Sequence, residues 1–409
     1  MNKSTSAASL LTVNAYWGGL SYMWSALHPI LLPAMLAGLV PPERKNTYLG
    51  LLTFAGLVIA MVLQPVSGAI SDRWVSRFGR RRPLILIGTV FSVLFLSILG
   101  WAGGLMWIFI GYVGLQISSN TAQGPLQGLL RDRVPQNQLG VASSIKVFLD
   151  LGSLIAASLI SGRLMLPGGG PQPAAFLVIV GLLIAGAGVT ILFTTEESSQ
   201  VQRRENGPVV RGIEGNGALP TSGYRWLIAE RGMFLLGVYG LQAFGQYYIQ
   251  DALHVADAPR AAGNLLSVIG ATTVLFVLAA GWLSDRFGPR PLLYIASALA
   301  ATGMLGMLGT TELSGLYGAG SLIGAGMGLF LTANWALANQ MAPVADAGRH
   351  LGLANIATAG AAALARLEGP AVDWLNAGQP GTWRGYQAIF VFGAACFLLS
   401  TWFLTKLRK

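Results

Sequence analysis

The sequence predicts an all-α integral membrane protein of twelve transmembrane helices, arranged as two six-helix bundles related by internal duplication. Three observations carry this prediction. Hydrophobic residues make up 53% of the 409 residues and charged residues only 10%, with a mean hydropathy of +0.59, which leaves too little polar surface to clothe a water-soluble domain. Apolar runs of about 20 residues, the length that crosses the hydrocarbon layer, recur along the whole chain. A basic loop from Leu63 to Pro83 returns in shortened form from Gly281 to Pro291, once in each half.

Taken in order, the first-half spans cover approximately 10–37, 47–70, 83–102, 106–130, 141–165 and 174–194. The first run outlasts a signal-peptide core and lacks a small-residue cleavage site ahead of Pro29 and Pro33, so it reads as a span that stays. Second-half spans cover 231–250, 262–283, 291–310, 315–341, 350–371 and 385–405. The expected organisation is therefore a first bundle over 1–195, a linker over 196–230 and a second bundle over 231–409. Charged residues mixed with Gly, Pro and Ser mark that linker. Runs of this length exceed a membrane strand, and lipid demands that backbone amides be bonded internally, so the spans are helices. Gly324-Ala325-Gly326-Met327-Gly328 lies inside one of them, where small residues let helices approach closely; a dinucleotide loop does not belong there.

The net charge of +10 follows topology. Lys and Arg concentrate in connections that share one side when both termini are cytoplasmic, as positive-inside retention requires. They form no stripe interleaved with aromatics, so nucleic acid is not an expected partner. One cysteine, Cys396, excludes an intrachain disulfide and a thiolate metal cluster. No His or Cys cluster has metal-ligand spacing, and no nucleophile, base and orienting group fall together, so neither a metal, a cofactor nor an enzyme is expected.

The loop itself reads Gln64-Pro65, then Gly68, Asp72-Arg73, Phe78-Gly79 and Arg80-Arg81-Arg82-Pro83, with Asp285-Arg286-Phe287-Gly288-Pro289-Arg290 as the second copy. A further stretch, Asn120-Thr121-Ala122-Gln123-Gly124-Pro125, is followed by Leu129-Leu130 and Asp132. On these motifs the chain resembles the major facilitator superfamily over essentially its entire length. Within that superfamily it is similar to the plant sucrose carriers and their animal and bacterial relatives, the sucrose/proton symporter group akin to glycoside-pentoside-hexuronide:cation symporters. The resemblance implies alternating access, with the Asp-Arg loops as a gating latch formed by Asp72, Arg73, Arg80, Asp285, Arg286 and Arg290. A fixed tie that merely holds each bundle is the competing reading.

The chain departs from those carriers on its fourth span. There the family resemblance implies an Asp and an Arg for proton coupling and sugar binding, and this sequence has Gln116 and Gln127. The fifth span instead carries Lys146 and Asp150, one turn apart. From a start near Gly140, Asp150 lies about 15 Å and Lys146 about 9 Å into the membrane at a rise of 1.5 Å per residue. Ionisable groups at that depth are costly and usually face a cavity. Asp150 is the expected coupling site, Lys146 its counter-ion and His28 a secondary relay, against the alternatives of a structural ion pair and a hydrogen-bonded interfacial His. Protons are favoured over sodium, which wants several oxygen ligands and tolerates a nearby ammonium poorly.

The resemblance implies that the first, fourth, seventh and tenth spans line the path. Along them lie the candidate substrate contacts Asn14, Trp24, Gln116, Asn120, Gln123, Gln127, Gln242, Gln246, Asn334 and Trp335, with Gln246 and Asn334 the deepest. Amides beside aromatic faces suit a neutral polyhydroxyl solute; the alternative is interhelical glue and interfacial belts. Arg366, Glu368, Asp373 and Arg384 read as an exposed charged rim, with an extracellular counterpart of the cytoplasmic latch as the alternative. Asp251, His254, Asp257 and Arg260 read as a solvated outer loop. The expected function is a secondary active transporter of a sugar or glycoside by proton symport, monomeric, multi-pass in the cell membrane and solvated by lipid. Two alternatives stand beside it: proton-antiport efflux of an amphipathic compound, and a non-transporting assembly or pigment-delivery protein on the same fold.

Overall fold

The structure, a computed structural model, describes residues 6–101, 103–135, 138–165, 172–194, 196, 222–341 and 347–407. Residues 197–221, most of the expected linker, lie outside the described residues. Among the described residues the chain is helical without a strand: α1 (Ala7–Ala26), α2 (Leu32–Ala37), α3 (Lys45–Arg73), α4 (Arg82–Trp101), α5 (Leu105–Arg133), α6 (Leu139–Leu164) and α7 (Pro173–Phe193) in the first half. The second half holds α8 (Ser222–Asp251), α9 (Ala258–Phe287), α10 (Pro289–Leu308), α11 (Leu313–Met341), α12 (Ala347–Arg366), α13 (Glu368–Gly378) and α14 (Arg384–Thr405). A π-helical turn, Leu27–Leu31, joins α1 to α2, and only Leu367 separates α12 from α13, so the fourteen segments make twelve helical rods.

Nine of these, among the described residues, are long and apolar enough to cross a membrane. Large apolar side chains such as Leu192, Phe193, Leu278 and Phe148 are exposed along the helices. That surface suits lipid, while the helical backbone bonds are satisfied within each rod.

The residues fall into two compact units, one drawn from Met1–Leu27 with Ala55–Glu214 and the other from His28–Phe54 with Gly215–Lys409. In the first unit, α1 packs on α6 and α7, and α4 on α5. Tyr16 anchors α1: its hydroxyl lies 2.7 Å from Thr89 Oγ1, and its backbone N–H donates to Thr190 Oγ1.

In the second unit α11 is central, packed against α9 and α10. The glycine run of α11 explains the closeness. A Cβ on Gly324 would lie 2.5 Å from the Ile269 carbonyl oxygen of α9, one on Gly328 2.6 Å from that of Thr273, and one on Gly326 2.5 Å from that of Ala296 on α10. Alternate glycines thus serve opposite neighbours, which is the close packing that small residues permit.

The π turn has an identifiable cause. Pro33 offers no N–H to the carbonyl of Pro29, and the helix register shifts to absorb the loss. Residues of α8 complete the break. With its amide turned so that nitrogen faces the freed carbonyls, Gln246 donates to Pro29 and Ile30 at 3.1 Å each and accepts from the Ala34 N–H at 3.2 Å, and the Tyr247 hydroxyl donates to the Pro33 carbonyl at 2.9 Å.

Candidate functional site

Four polar assemblies stand out inside the two units. The first lies on α6 and α1. Lys146 Nζ is 2.8 Å from Asp150 Oδ2, one turn away on α6, and the Ser21 hydroxyl of α1 donates to Asp150 Oδ1. The ammonium also sits 4.4 Å from the centroid of the Trp17 ring, so a single cation is shared between a carboxylate and a π face. Ser153, a turn beyond Asp150, donates to the Gly18 carbonyl at 3.0 Å and fixes α6 against α1. The pair is about one-third exposed. His28, the third expected coupling residue, lies in the π turn and belongs to the other unit.

The second assembly is a ladder of amides on α5. Gln116 donates to the Tyr112 hydroxyl at 2.8 Å and accepts from Asn120, whose amide also donates to the Gln116 backbone carbonyl at 2.7 Å. Trp24 meets Tyr112 edge-on at 6.5 Å. Gln123 accepts from Gln64 of α3, and beside it Gly124 faces Ser67 so closely that a Cβ there would clash with the hydroxyl. Gln116 and Asn120 are buried and Gln127 is exposed. Asn14 is buried on α1 and donates to its own helix at the Leu10 carbonyl, while Gln242 is half-buried on α8.

The third assembly is the Asp-Arg loop. The partner of Asp72 is Arg81 (2.5 Å) instead of the expected Arg73 or Arg80, and Arg81 also reaches Asp132 at the end of α5 (3.1 Å), as does Arg80 (2.7 Å). Gly128 makes room for the Arg81 guanidinium: a Cβ there would lie 2.4 Å from Cζ. Glu196 accepts from the backbone N–H groups of Arg80, Arg81 and Arg82 at 3.0 to 3.2 Å, a carboxylate at the N-terminus of α4 where the helix dipole favours it. The second copy differs. Asp285 and Arg286 are exposed, Arg286 lies over Trp282 and Phe287, and neither they nor Arg290 takes part in an ion pair among the described residues. The Asp-Arg loop of the first half is closed by ion pairs; its second-half counterpart is not, among those residues.

The fourth assembly lies in the second unit and was not legible in the sequence. Helix α8 begins at Ser222, nine residues before the expected start of the seventh span, which places Glu230 and Arg231 within the helix instead of at a linker boundary. Glu230 is fully buried and Arg231 nearly so. Asn334 bridges them: its Nδ2 donates to Glu230 Oε2 at 2.6 Å and its Oδ1 accepts from Arg231 Nη1 at 2.6 Å. Arg231 Nε donates to Thr358 of α12 at 3.0 Å, and its guanidinium lies 5.1 Å from the half-exposed Trp335 ring. Asn334 is thus engaged by Glu230, the last residue of the expected linker, and by Arg231, the first of the expected seventh span, which also meets Trp335. The apolar neighbours Tyr224, Trp226, Leu227 and Ile228 were the available signal that the helix starts earlier.

The expected charged rim and solvated outer loop are corrected in part by this unit: Arg384, His254, Asp257 and Arg260 are exposed as expected, while Arg366, Asp373 and Asp251 are not. Asp373 and Arg366 are buried. Asp373 accepts from Asn46 Nδ2 at 2.7 Å and from the Thr47 N–H at 2.6 Å. Asp251 is paired with Lys45 at 2.5 Å and accepts from the Tyr386 hydroxyl at 2.6 Å. Asp257 caps α9 by accepting from the Arg260 N–H. Charges separated along the sequence lose their solvent by meeting one another, which no local pattern reveals.

With this geometry in place, comparison with known proteins resolves the class. The Major Facilitator Superfamily model matches residues 5–366 and 239–408, and the chain belongs to that superfamily of multi-pass membrane proteins. It is similar to the sucrose transport protein SUT1 of Oryza sativa subsp. japonica, 27% identical over 240 residues, covering 50% of this chain and 41% of that protein. It is also similar to the sucrose transport protein SUC3 of Arabidopsis thaliana, 23% identical over 256 residues, covering 53% of this chain and 42% of that protein. The matches thus span less than half the length of these curated relatives. The fold matches the crystal structure of the nucleoside transporter NupG (TM-score 0.71, 12% identity, 100% of this chain and 99% of that one). It equally matches a bacterial homologue of the human lysosomal transporter Spinster in an inward-facing, unoccupied conformation (TM-score 0.71, 16% identity, 99% of both chains).

Proposed function

We propose that this chain is a secondary transporter of a neutral polyhydroxyl solute, a sugar or glycoside, moved by proton symport across the cell membrane. The observation that carries the coupling is the Lys146–Asp150 pair with the Ser21 hydroxyl on the same carboxylate. A proton on Asp150 removes the charge that holds Lys146 and weakens the tie between α6 and α1, so protonation and helix contact change together. The sugar assignment rests on the names of the curated relatives and on the amide-rich α5, which carries Gln116, Asn120 and Gln123, with Gln116 joined to Trp24 through Tyr112. The reading further has both termini cytoplasmic, in keeping with the positive-inside distribution of Lys and Arg, and a monomer as the working unit.

The test is pH-gradient-driven uptake of a panel of radiolabelled sugars, sucrose among them, into proteoliposomes. Wild type accumulates one of them and loses that accumulation with a protonophore, and Asp150→Asn transports only down the sugar's own gradient. A variant that remains fully proton-driven removes Asp150 from the mechanism, and failure of a folded wild type to take up any sugar overturns the substrate class.

A further inference from the structure

The coupling proposed at Asp150 leaves unused a carboxylate in the second unit. Glu230 is fully buried on α8. Its Oε2 accepts from Asn334, while its Oε1 is buried with no hydrogen-bond partner among the described residues. Arg231, the next residue, does not approach it as an ion pair. The guanidinium turns instead to Asn334 Oδ1 and Thr358 Oγ1, so one amide stands between the two opposite charges. A buried carboxylate with an idle oxygen is an expensive arrangement unless something binds there. A proton is the ligand that such a group takes without needing a cavity.

We propose that Glu230 is a second proton-binding residue and that Asn334 and Arg231 transmit its charge to α12. The proton adds to Oε1 while Asn334 keeps Oε2. When the proton leaves, the full carboxylate charge competes with Asn334 Oδ1 and Thr358 for the adjacent guanidinium, and a guanidinium drawn off Thr358 loosens α8 from α12. The charged and titratable groups around the site, among the described residues, are Arg231 on α8 itself, with Tyr224 and Tyr239 of the same helix near the guanidinium. Helices α11 and α12 contribute Asn334 and Thr358, which do not titrate, and the aromatic Phe330 of α11 and Phe397 of α14 pack on Phe234. Among the described residues, Arg231 and Asn334 are the groups that act directly on Glu230.

The idea rests on the proton-coupled reading above, so its test uses a signal that does not need transport. Infrared pH-difference spectra of the full chain in lipid are to be recorded for wild type, Glu230→Gln and Asp150→Asn. A protonated-carboxyl band that titrates in wild type, disappears in Glu230→Gln and persists in Asp150→Asn supports the site. Identical titrating spectra for wild type and Glu230→Gln overturn it. Should Glu230→Gln not fold, Asn334→Ser, which weakens the donor to Oε2, moves the midpoint of that band, and an unmoved midpoint overturns the proposal equally. In proteoliposomes Glu230→Gln is expected to keep sugar counterflow while pH-driven accumulation falls to the uncoupled level. If Asp150→Asn stays proton-driven while the Glu230 band is present, the assignment of Asp150 fails and that of Glu230 stands.

Discussion

Single side chains carry the heaviest obligations where charge is buried. Asn334 is the clearest case, since one amide satisfies a carboxylate with its nitrogen and a guanidinium with its oxygen. Asn334→Leu keeps the volume and strands both partners, and removing a partner from a buried charged network costs about 3–5 kcal/mol. Glu230→Gln keeps the shape and the acceptor oxygen, so its loss is about 1 kcal/mol. Thermal unfolding in detergent should therefore rank Asn334→Leu well below Glu230→Gln, and equal midpoints would mean that the network does not hold the unit together. Gln246 invites a related distinction. Its amide is spent on the carbonyls freed at the π turn, so Gln246→Leu should lower stability by about 1–3 kcal/mol. A variant with unchanged stability and a raised KM for sugar would reassign Gln246 to the substrate.

At the level of helices, the glycines of α11 set the spacing of three rods. Gly324→Val puts a branched side chain against the Ile269 carbonyl, already 2.5 Å from where the first added carbon would sit. Backbone cannot yield as a flexible side chain does, and overpacking of this kind costs about 1–3 kcal/mol. The expected result is a lower unfolding temperature, whereas Gly318→Ala, where no atom lies within 4 Å of the added carbon, should be neutral. This packing was legible in the sequence, because small residues inside an apolar run have few other uses, and so was the helical order, because membrane length and hydropathy leave no alternative. The Lys146–Asp150 pair was legible for a local reason, four residues on one helix. What escaped were the contacts between elements. Three consecutive arginines, Arg80 to Arg82, give no period by which to choose the one that meets Asp72, and Glu196 looked like a linker charge because its partners are backbone N–H groups 114 to 116 residues away. Glu230 escaped because the charges and glycines that precede Ser222 extend the look of a linker past the helix start, although Tyr224, Trp226, Leu227 and Ile228 already mark the helix.

The molecule as a whole does not divide where its sequence does. Residues His28–Phe54 pack into the same compact unit as the second half of the chain, and they contribute groups that the second half cannot replace. Lys45 neutralises Asp251, and Asn46 and Thr47 satisfy Asp373. Helix α3 crosses α12 and α13 at Gly50 and Gly369, where added carbons would lie 2.3 and 2.2 Å from opposing carbonyls. A second half expressed from residue 222 onward therefore leaves the buried Asp373 and the partly buried Asp251 without these partners and bares the surface that residues 28–54 cover. It should accumulate poorly alone and be rescued by co-expression of residues 1–221, read as co-purification on a tag placed on the second half. The dependence is specific enough to invert. Lys45→Asp sets two carboxylates against each other and should abolish the rescue, while Lys45→Asp combined with Asp251→Lys restores opposite charges and should recover part of it. Rescue that ignores Lys45→Asp would show that apolar packing alone joins residues 28–54 to the second half, and that the ion pair is incidental to assembly.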